Sequence, residues 1–216
     1  MSEEFERVMI EALGYMDPIE AIYLADKTRK LYKNLPVHNS QHGFWVADKA
    51  IHIANILEED VRYKVLISMA LLHDVGAHEY ARHPELGAEI AQRELPRFME
   101  LTADELELIA QGIREHDGQI HTFPESQILY DADTLNKAGS HGIQQCHLAA
   151  VEFGLDAQQM VDRWVPGFRK KIEKGYYSNR ARELDRQAGN GVVGGLEMTY
   201  QHMENLANLL NPKRTS

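Results

Sequence analysis

Cysteine is nearly absent from this sequence, and long apolar runs are lacking. The single cysteine, Cys146, excludes an internal disulfide and any zinc site built on several thiolates. The longest nearly clean apolar run, residues 65–72, is too short to cross a bilayer. The first residues are acidic where a signal peptide would be basic. We therefore expect a cytoplasmic protein with no membrane association.

Positive charge is also scarce, because the chain has 23 Lys and Arg against 33 Asp and Glu, a net charge of −10. Extended nucleic-acid binding needs clustered cations that displace counterions from the phosphate backbone, so we do not expect it. A small anionic substrate remains compatible with this charge. Bound divalent ions would supply positive charge at the site itself.

Apolar positions at helical spacing run along almost the whole chain. No segment shows convincing strand alternation, and a hydrophobic content of 44% is enough for a substantial core. The predicted fold class is therefore all-α, with a single helical domain over residues 1–216. The predicted helices cover about residues 3–14, 17–33, 44–57, 65–72, 84–95, 102–113, 126–139, 141–153, 157–173 and 195–210.

Two local patterns mark the ends of these helices. Thr102 and Glu105 have the spacing of a capping box, which predicts that a helix begins there. The glycine-rich segment 189–195 is the main break in composition. It lacks the Gly-Lys-Ser/Thr ending of a phosphate-binding loop and no strand precedes it, so we interpret it as a flexible connection.

The most informative stretch is residues 71–76, Leu-Leu-His-Asp-Val-Gly, where His73 and Asp74 directly follow an apolar helical run. Imidazole nitrogens and carboxylate oxygens are both strong ligands for transition metals. Ligands from separate helices would place a metal inside a helical bundle. The full series of candidate ligands is His42, His73, Asp74, His83, His116 and Asp133.

This ordered series resembles the HD superfamily of metal-dependent phosphohydrolases, and the resemblance covers about residues 35–153. It implies that residues 154–210 form a helical extension. In that family the first His, the His-Asp pair and a distal Asp bind one catalytic metal, which corresponds here to His42, His73, Asp74 and Asp133. Asp131 is the alternative distal ligand, since it lies only two residues earlier.

His83 and His116 resemble the extra histidine motifs of HD proteins with two metals. The resemblance implies two divalent ions, with Asp74 bridging them and a shared water activated as the nucleophile. The alternative is that both histidines hydrogen-bond the substrate phosphate above a single metal. The identity of the ion, whether Fe, Mn, Mg, Ni, Co or Zn, stays open.

Further residues have candidate roles beside the metal. His38 belongs to a His-Asn-x-x-His segment that resembles HD-type phosphodiesterases, where the first His protonates a leaving oxygen. Arg82, Arg114 and Lys137 lie close to the motifs in sequence and are candidate phosphate-binding cations. A cyclic dinucleotide is disfavoured as substrate, because Ala77 stands where the cyclic-dinucleotide enzymes commonly have Lys.

The resemblance implies a phosphohydrolase that cleaves a phosphate ester or anhydride, with nucleotides as one substrate class. Two alternatives stay open: a di-iron oxygenase on the same ligand pattern, and a non-catalytic sensor that contains a metal. The oligomeric state stays open too. Cys146 is interpreted as a packing residue. No site role is assigned to His52, His78, His121, His141, His147 or His202.

Overall fold

A computed structural model describes residues 3–57, 60–190 and 192–211 of the chain. These residues are 74% helical and contain no strand, which confirms the all-α prediction. The chain divides into two compact units, Met1–Ala132 and Asp133–Ser216, and the division falls inside a helix. The prediction of one domain over residues 1–216 stays a prediction.

Seven helices begin in the first unit. They are α1 (Glu3–Ala12), α2 (Pro18–Leu31), α3 (Ser40–Ala54), α4 (Tyr63–Leu72), α5 (His83–Glu94), α6 (Ala103–Glu115) and α7 (Pro124–Leu135). Short 3-10 segments, Ala77–Arg82 and Leu95–Arg97, precede and follow α5. The capping box at the start of α6 is present, because the Thr102 and Glu105 side chains each accept from the other's backbone N–H.

Helix α4 is the apolar centre of the first unit. All eight of its residues from Val65 to Leu72 are buried, and all but Ser68 are apolar, so the helix is buried on every side rather than on one stripe. Helices α3 and α6 both pack against it. Because α4 ends directly before His73, this buried helix determines where the His-Asp pair lies.

An ion pair between a buried carboxylate and an exposed arginine holds the start of α4. Glu125, in the first turn of α7, is fully buried, and its Oε1 accepts hydrogen bonds of 2.8 Å from both the backbone N–H and the Nε of Arg62. The Arg62 Nη2 donates to Glu125 Oε2, also at 2.8 Å. Burial alone would raise the pKa of Glu125, but the hydrogen bonds from Arg62 outweigh burial and lower it.

The second unit contains the end of α7 and four further helices: α8 (Gly139–Glu152), α9 (Ala157–Lys174), α10 (Asn179–Ala188) and α11 (Gly195–Leu210). Helix α11 packs against both α8 and α9. Cys146 belongs to the buried apolar cluster of this unit, as expected for a packing residue. Burial raises the pKa of its thiol to about 12.

Helix α10 was missing from the sequence prediction. Only Ala181 is buried along its ten residues, so the segment lacks the apolar stripe by which amphipathic helices are recognised. The glycine-rich segment lies between α10 and α11, and α11 begins at Gly195. Gly191 lies outside the described residues. Among the helices that the structure describes, none is both long and apolar enough to cross a membrane.

We predict that Arg62→Met lowers the free energy of unfolding by about 2 kcal/mol at pH 7, since it leaves a buried carboxylate without its charged donor. The pair lowers the folded-state pKa of Glu125. Its stabilisation is therefore present above the unfolded-state pKa and is lost as the pH falls through the folded-state pKa. Urea unfolding of both proteins at neutral and acidic pH measures the difference.

The matched control is Lys30→Met, which removes an exposed ion pair with Asp26. Exposed pairs contribute little, so this variant should unfold like the parent. Equal losses in the two variants would contradict the structural role of Arg62.

Candidate metal centre

The Asp74 carboxylate lies at the centre of four imidazole rings. Its Oδ2 is 3.2 Å from His73 Nε2 and 3.3 Å from His42 Nε2. Its Oδ1 is 3.3 Å from His116 Nε2 and 3.7 Å from His83 Nε2. All five residues are buried. We call this group the Asp74 cluster, and it lies entirely within the first unit.

Backbone carbonyls orient three of the rings. His73 directly follows α4, His116 directly follows α6, and His83 follows the 3-10 segment before α5. In each case Nδ1 contacts the carbonyl oxygen three residues earlier, at the end of a helical turn where carbonyls have no partner within the helix. The contacts are His73 to Ala70 at 2.8 Å, His83 to Tyr80 at 2.9 Å and His116 to Ile113 at 2.6 Å.

These contacts decide which nitrogen carries the proton. A carbonyl oxygen accepts only, so each Nδ1 must donate, and the neutral ring then presents its Nε2 lone pair. The Nε2 atoms of His83 and His116 are 3.3 Å apart and both face Asp74 Oδ1. Two lone pairs and an anionic oxygen converge at this point. Such a group is stable only with a proton or a cation among the three atoms.

The second pair of rings has the same arrangement about the other oxygen. His42 Nε2 and His73 Nε2 are 3.1 Å apart, and both are near Asp74 Oδ2. One ligand atom from each of His73, Asp74 and His116 also lies within 4.8 Å of the other two, close enough to share an ion. The donor set therefore fits the divalent metal that the sequence predicts.

The protonation states favour metal binding as well. Burial raises the pKa of Asp74, but when the rings carry protons in place of a cation, the charges of His73 and His38 and hydrogen bonds from His116 and His42 outweigh burial and hold the pKa well below its usual range. Burial lowers the pKa of His83, and electrostatic repulsion from the neighbouring His116 lowers it further. An ionised carboxylate and a neutral imidazole are the forms that bind metals.

His38 lies at the more exposed side of the cluster. It precedes Asn39, whose side chain caps α3 by accepting hydrogen bonds from the backbone N–H groups of Gln41 and His42. His38 therefore lies before the helix, yet its Nε2 is 4.0 Å from Asp74 Oδ2 with 19% of its side chain exposed. His38 and His42, which are four residues apart in sequence, therefore both lie near the same oxygen of Asp74.

The three predicted phosphate-binding cations are all paired with acidic side chains. Arg82 contacts Glu89 at 3.3 Å, and Arg114 contacts Glu107 at 3.1 Å, both at the surface. In the second unit, Lys137 Nζ is 2.6 Å from Asp133 Oδ2. The substrate-binding role of these cations stays a prediction.

Asp133 is the first residue of the second unit and is buried there. Asp131, the last acidic residue of the first unit, is fully buried. The choice between them as the distal metal ligand stays a prediction.

Sequence analysis did not identify Tyr32. Its buried hydroxyl accepts a hydrogen bond of 3.3 Å from the Asp74 backbone N–H. A Cβ added to Gly43, next to His42, would lie 3.2 Å from the same hydroxyl. No local pattern connects a tyrosine at the end of α2 with a carboxylate 42 residues away, so only the packing of the helices reveals it.

Histidines and a carboxylate gathered between helix ends are typical of metal-dependent hydrolases built on helical bundles. The family model of the HD domain matches residues 39–138, inside the range predicted from the motifs. Residues 39–138, just under half of the chain, therefore match an HD domain. At the level of this superfamily, the match supports metal-dependent phosphohydrolase chemistry.

The chain is also similar to three known proteins. It is 41% identical over 70 residues to the bifunctional uridylyltransferase/uridylyl-removing enzyme of Cereibacter sphaeroides, a match that covers 32% of this chain and only 7% of that protein. A predicted HD superfamily hydrolase from an uncultured Thermotogales bacterium aligns with a TM-score of 0.55 and 23% identity, over 88% of this chain and 91% of that one. Bacillus subtilis YpgQ in complex with ADP aligns with a TM-score of 0.60 and 18% identity, over 87% and 98% of the two chains. At these identities the two structures show the fold alone.

We predict that Gly76→Ala destabilises the first unit by about 1–3 kcal/mol. A Cβ at Gly76 would lie 2.5 Å from the His83 carbonyl oxygen and 2.8 Å from the Gly87 backbone nitrogen, and neither backbone atom can move freely. The substitution should also shift His83 relative to Asp74, and therefore lower the metal content of the folded protein.

Thermal melting and elemental analysis would measure both effects. Gly167→Ala is the matched control, because an added Cβ there meets nothing within 4 Å and the position is helical. Normal stability and metal content in Gly76→Ala would show that the loop after Asp74 tolerates a wider separation from α5.

Proposed function

We propose that this protein is a metal-dependent phosphohydrolase that cleaves a phosphate ester or anhydride in a small substrate, with nucleotides as the leading class. The observation that carries the proposal is the arrangement of Asp74. Its two carboxylate oxygens face two different pairs of imidazole nitrogens, as a carboxylate shared by two ions would. The ADP bound to YpgQ, a protein of similar fold, supports a nucleotide as substrate.

In this proposal each ion has its own set of ligands. His42 and His73 would hold one ion, His83 and His116 would hold the other, and Asp74 would belong to both sets of ligands. Imidazole donors suit first-row transition ions better than Mg²⁺, which prefers oxygen ligands. When bound, the ions supply an activated water and neutralise the charge of phosphate oxygens.

Residues of the chain are then assigned to ring orientation, proton donation and phosphate binding. The carbonyls of Ala70 and Ile113 hold the His73 and His116 rings in the ligating tautomer. His38, the more exposed imidazole beside Asp74, is the proton donor to the leaving oxygen, because a partly exposed imidazole can take a proton from solvent and pass it to the substrate. Arg82, Arg114 and Lys137 are proposed to contact the substrate phosphate after exchanging their acidic partners for it.

We predict about two metal ions per chain when the protein is purified anaerobically without a metal-binding tag. The combined His83→Ala and His116→Ala variant should keep about one ion, since His42, His73 and Asp74 remain. Elemental analysis measures this number directly. One ion in both proteins would contradict the two-metal arrangement and leave His83 and His116 to contact the substrate.

We also predict phosphate release from a panel of nucleoside mono-, di- and triphosphates that a chelator suppresses and added Mn²⁺ restores. The combined His73→Ala and Asp74→Ala variant should lose at least about 100-fold in turnover, because it lacks two central ligands. Unchanged turnover in this variant, or iron-dependent oxygen consumption in place of phosphate release, would overturn the hydrolase proposal.

In the same assay, one single variant tests the role of His38 and a second serves as its control. His38→Ala should lower kcat by about 100-fold or more while it keeps the full metal content, as expected of a proton donor that does not bind metal. His78→Ala removes an exposed histidine outside the Asp74 cluster and should behave like the parent. Loss of metal in His38→Ala would instead make His38 a ligand.

A further inference from the structure

A second pair of histidines lies in the second unit, on two different helices. His147 is on α8 and His202 is on α11, and both are exposed. Their Nε2 atoms are 3.4 Å apart, although the residues are 55 positions apart in sequence. The ring centroids are 5.7 Å apart and the ring planes cross at 78°. Neither residue belongs to a recognisable motif.

Buried neighbours hold the two histidines in place. Cys146 precedes His147 and Met203 follows His202, and both of these side chains lie in the apolar cluster that joins α8 to α11. The buried Thr199 hydroxyl of α11 also bonds to the Gly139 carbonyl at the start of α8, at 3.1 Å. Packing of α8 against α11 therefore fixes the two backbone positions from which the His147 and His202 side chains extend.

The distance between the nitrogens matches a shared metal better than a hydrogen bond. Ring nitrogens in good hydrogen bonds lie about 2.9–3.0 Å from their partner. Two nitrogens bound to one tetrahedral Zn²⁺ at about 2.0–2.1 Å lie roughly 3.3–3.4 Å apart. His147 and His202 thus have the spacing of a chelating pair, with the rings already facing each other.

We propose that His147 and His202 form a second metal site, which binds a Zn²⁺-class ion at the surface of the second unit and is independent of the Asp74 cluster. Imidazole nitrogens suit Zn²⁺, Ni²⁺ and Cu²⁺, whereas Mg²⁺ and Ca²⁺ prefer oxygen. The two side chains occupy two positions of a tetrahedral ion, and water occupies the others. The bound ion joins α8 to α11 and stabilises this unit by binding only its folded form.

The test uses the full chain with its resident metal, purified without a tag and titrated with zinc chloride. We expect one additional Zn²⁺ per chain after equilibrium dialysis, and a rise in melting temperature that grows with zinc concentration. His147→Ala, His202→Ala and the combined variant should each lose both effects to the same extent, because a chelate needs both rings. His78→Ala, which removes a different exposed histidine, should keep them.

A nickel resin provides a second measurement, since immobilised ions reach only surface histidines. The untagged parent and His78→Ala should require more imidazole for elution than His147→Ala or His202→Ala. If each single variant lost only part of the zinc and resin binding, and the combined variant lost the sum, the two histidines would be separate weak contacts and the proposal would be overturned. The proposal would also be overturned if the parent bound no additional zinc, or if one zinc ion joined two chains, which would appear as half an additional ion per chain. The metal content of the Asp74 cluster, measured in the same samples, should not change.

Discussion

A buried negative charge is the constraint on which the first unit depends. Removing a carboxylate from water costs several kcal/mol unless its oxygens are paired. Four imidazole rings surround Asp74, two at each oxygen. Three of the rings keep their Nδ1 on backbone carbonyls, so they turn lone pairs rather than protons toward the carboxylate. The arrangement therefore needs a proton or a cation among these atoms, and this need is the physical reason why the donor set fits a metal ion.

The carboxyl-terminal ends of two helices add further negative charge beside Asp74. Helices α4 and α6 end directly before His73 and His116, and the carboxyl-terminal end of a helix has partial negative charge. Two such ends and the Asp74 carboxylate meet at one place, which makes it favourable for positive ions. A net charge of −10 would not prevent the protein from binding an anionic phosphate there, because bound divalent ions would reverse the local charge.

Helix α4 connects the stability of the first unit with its function. Its start is held by the pair of Arg62 and the buried Glu125, its middle is wholly buried, and its end leads into His73 and Asp74. The close approach of Gly76 to His83 and Gly87 then holds the following loop against α5. Ligands supported in this way keep a precise geometry, which catalysis by positioned ions requires.

The sequence by itself determined the helices that have an apolar stripe, the capping box at Thr102, and the ordered histidine and aspartate series typical of an HD domain. These features depend on residues close together in the chain, so periodicity and spacing reveal them. Helix α10 was not predicted, because only Ala181 is buried along it and the segment lacks an apolar stripe. Only the tertiary structure decided that Tyr32 contacts Asp74 and that His147 faces His202. Each of these contacts joins different elements of the fold, and the packing of helices rather than any local preference brings such partners within reach.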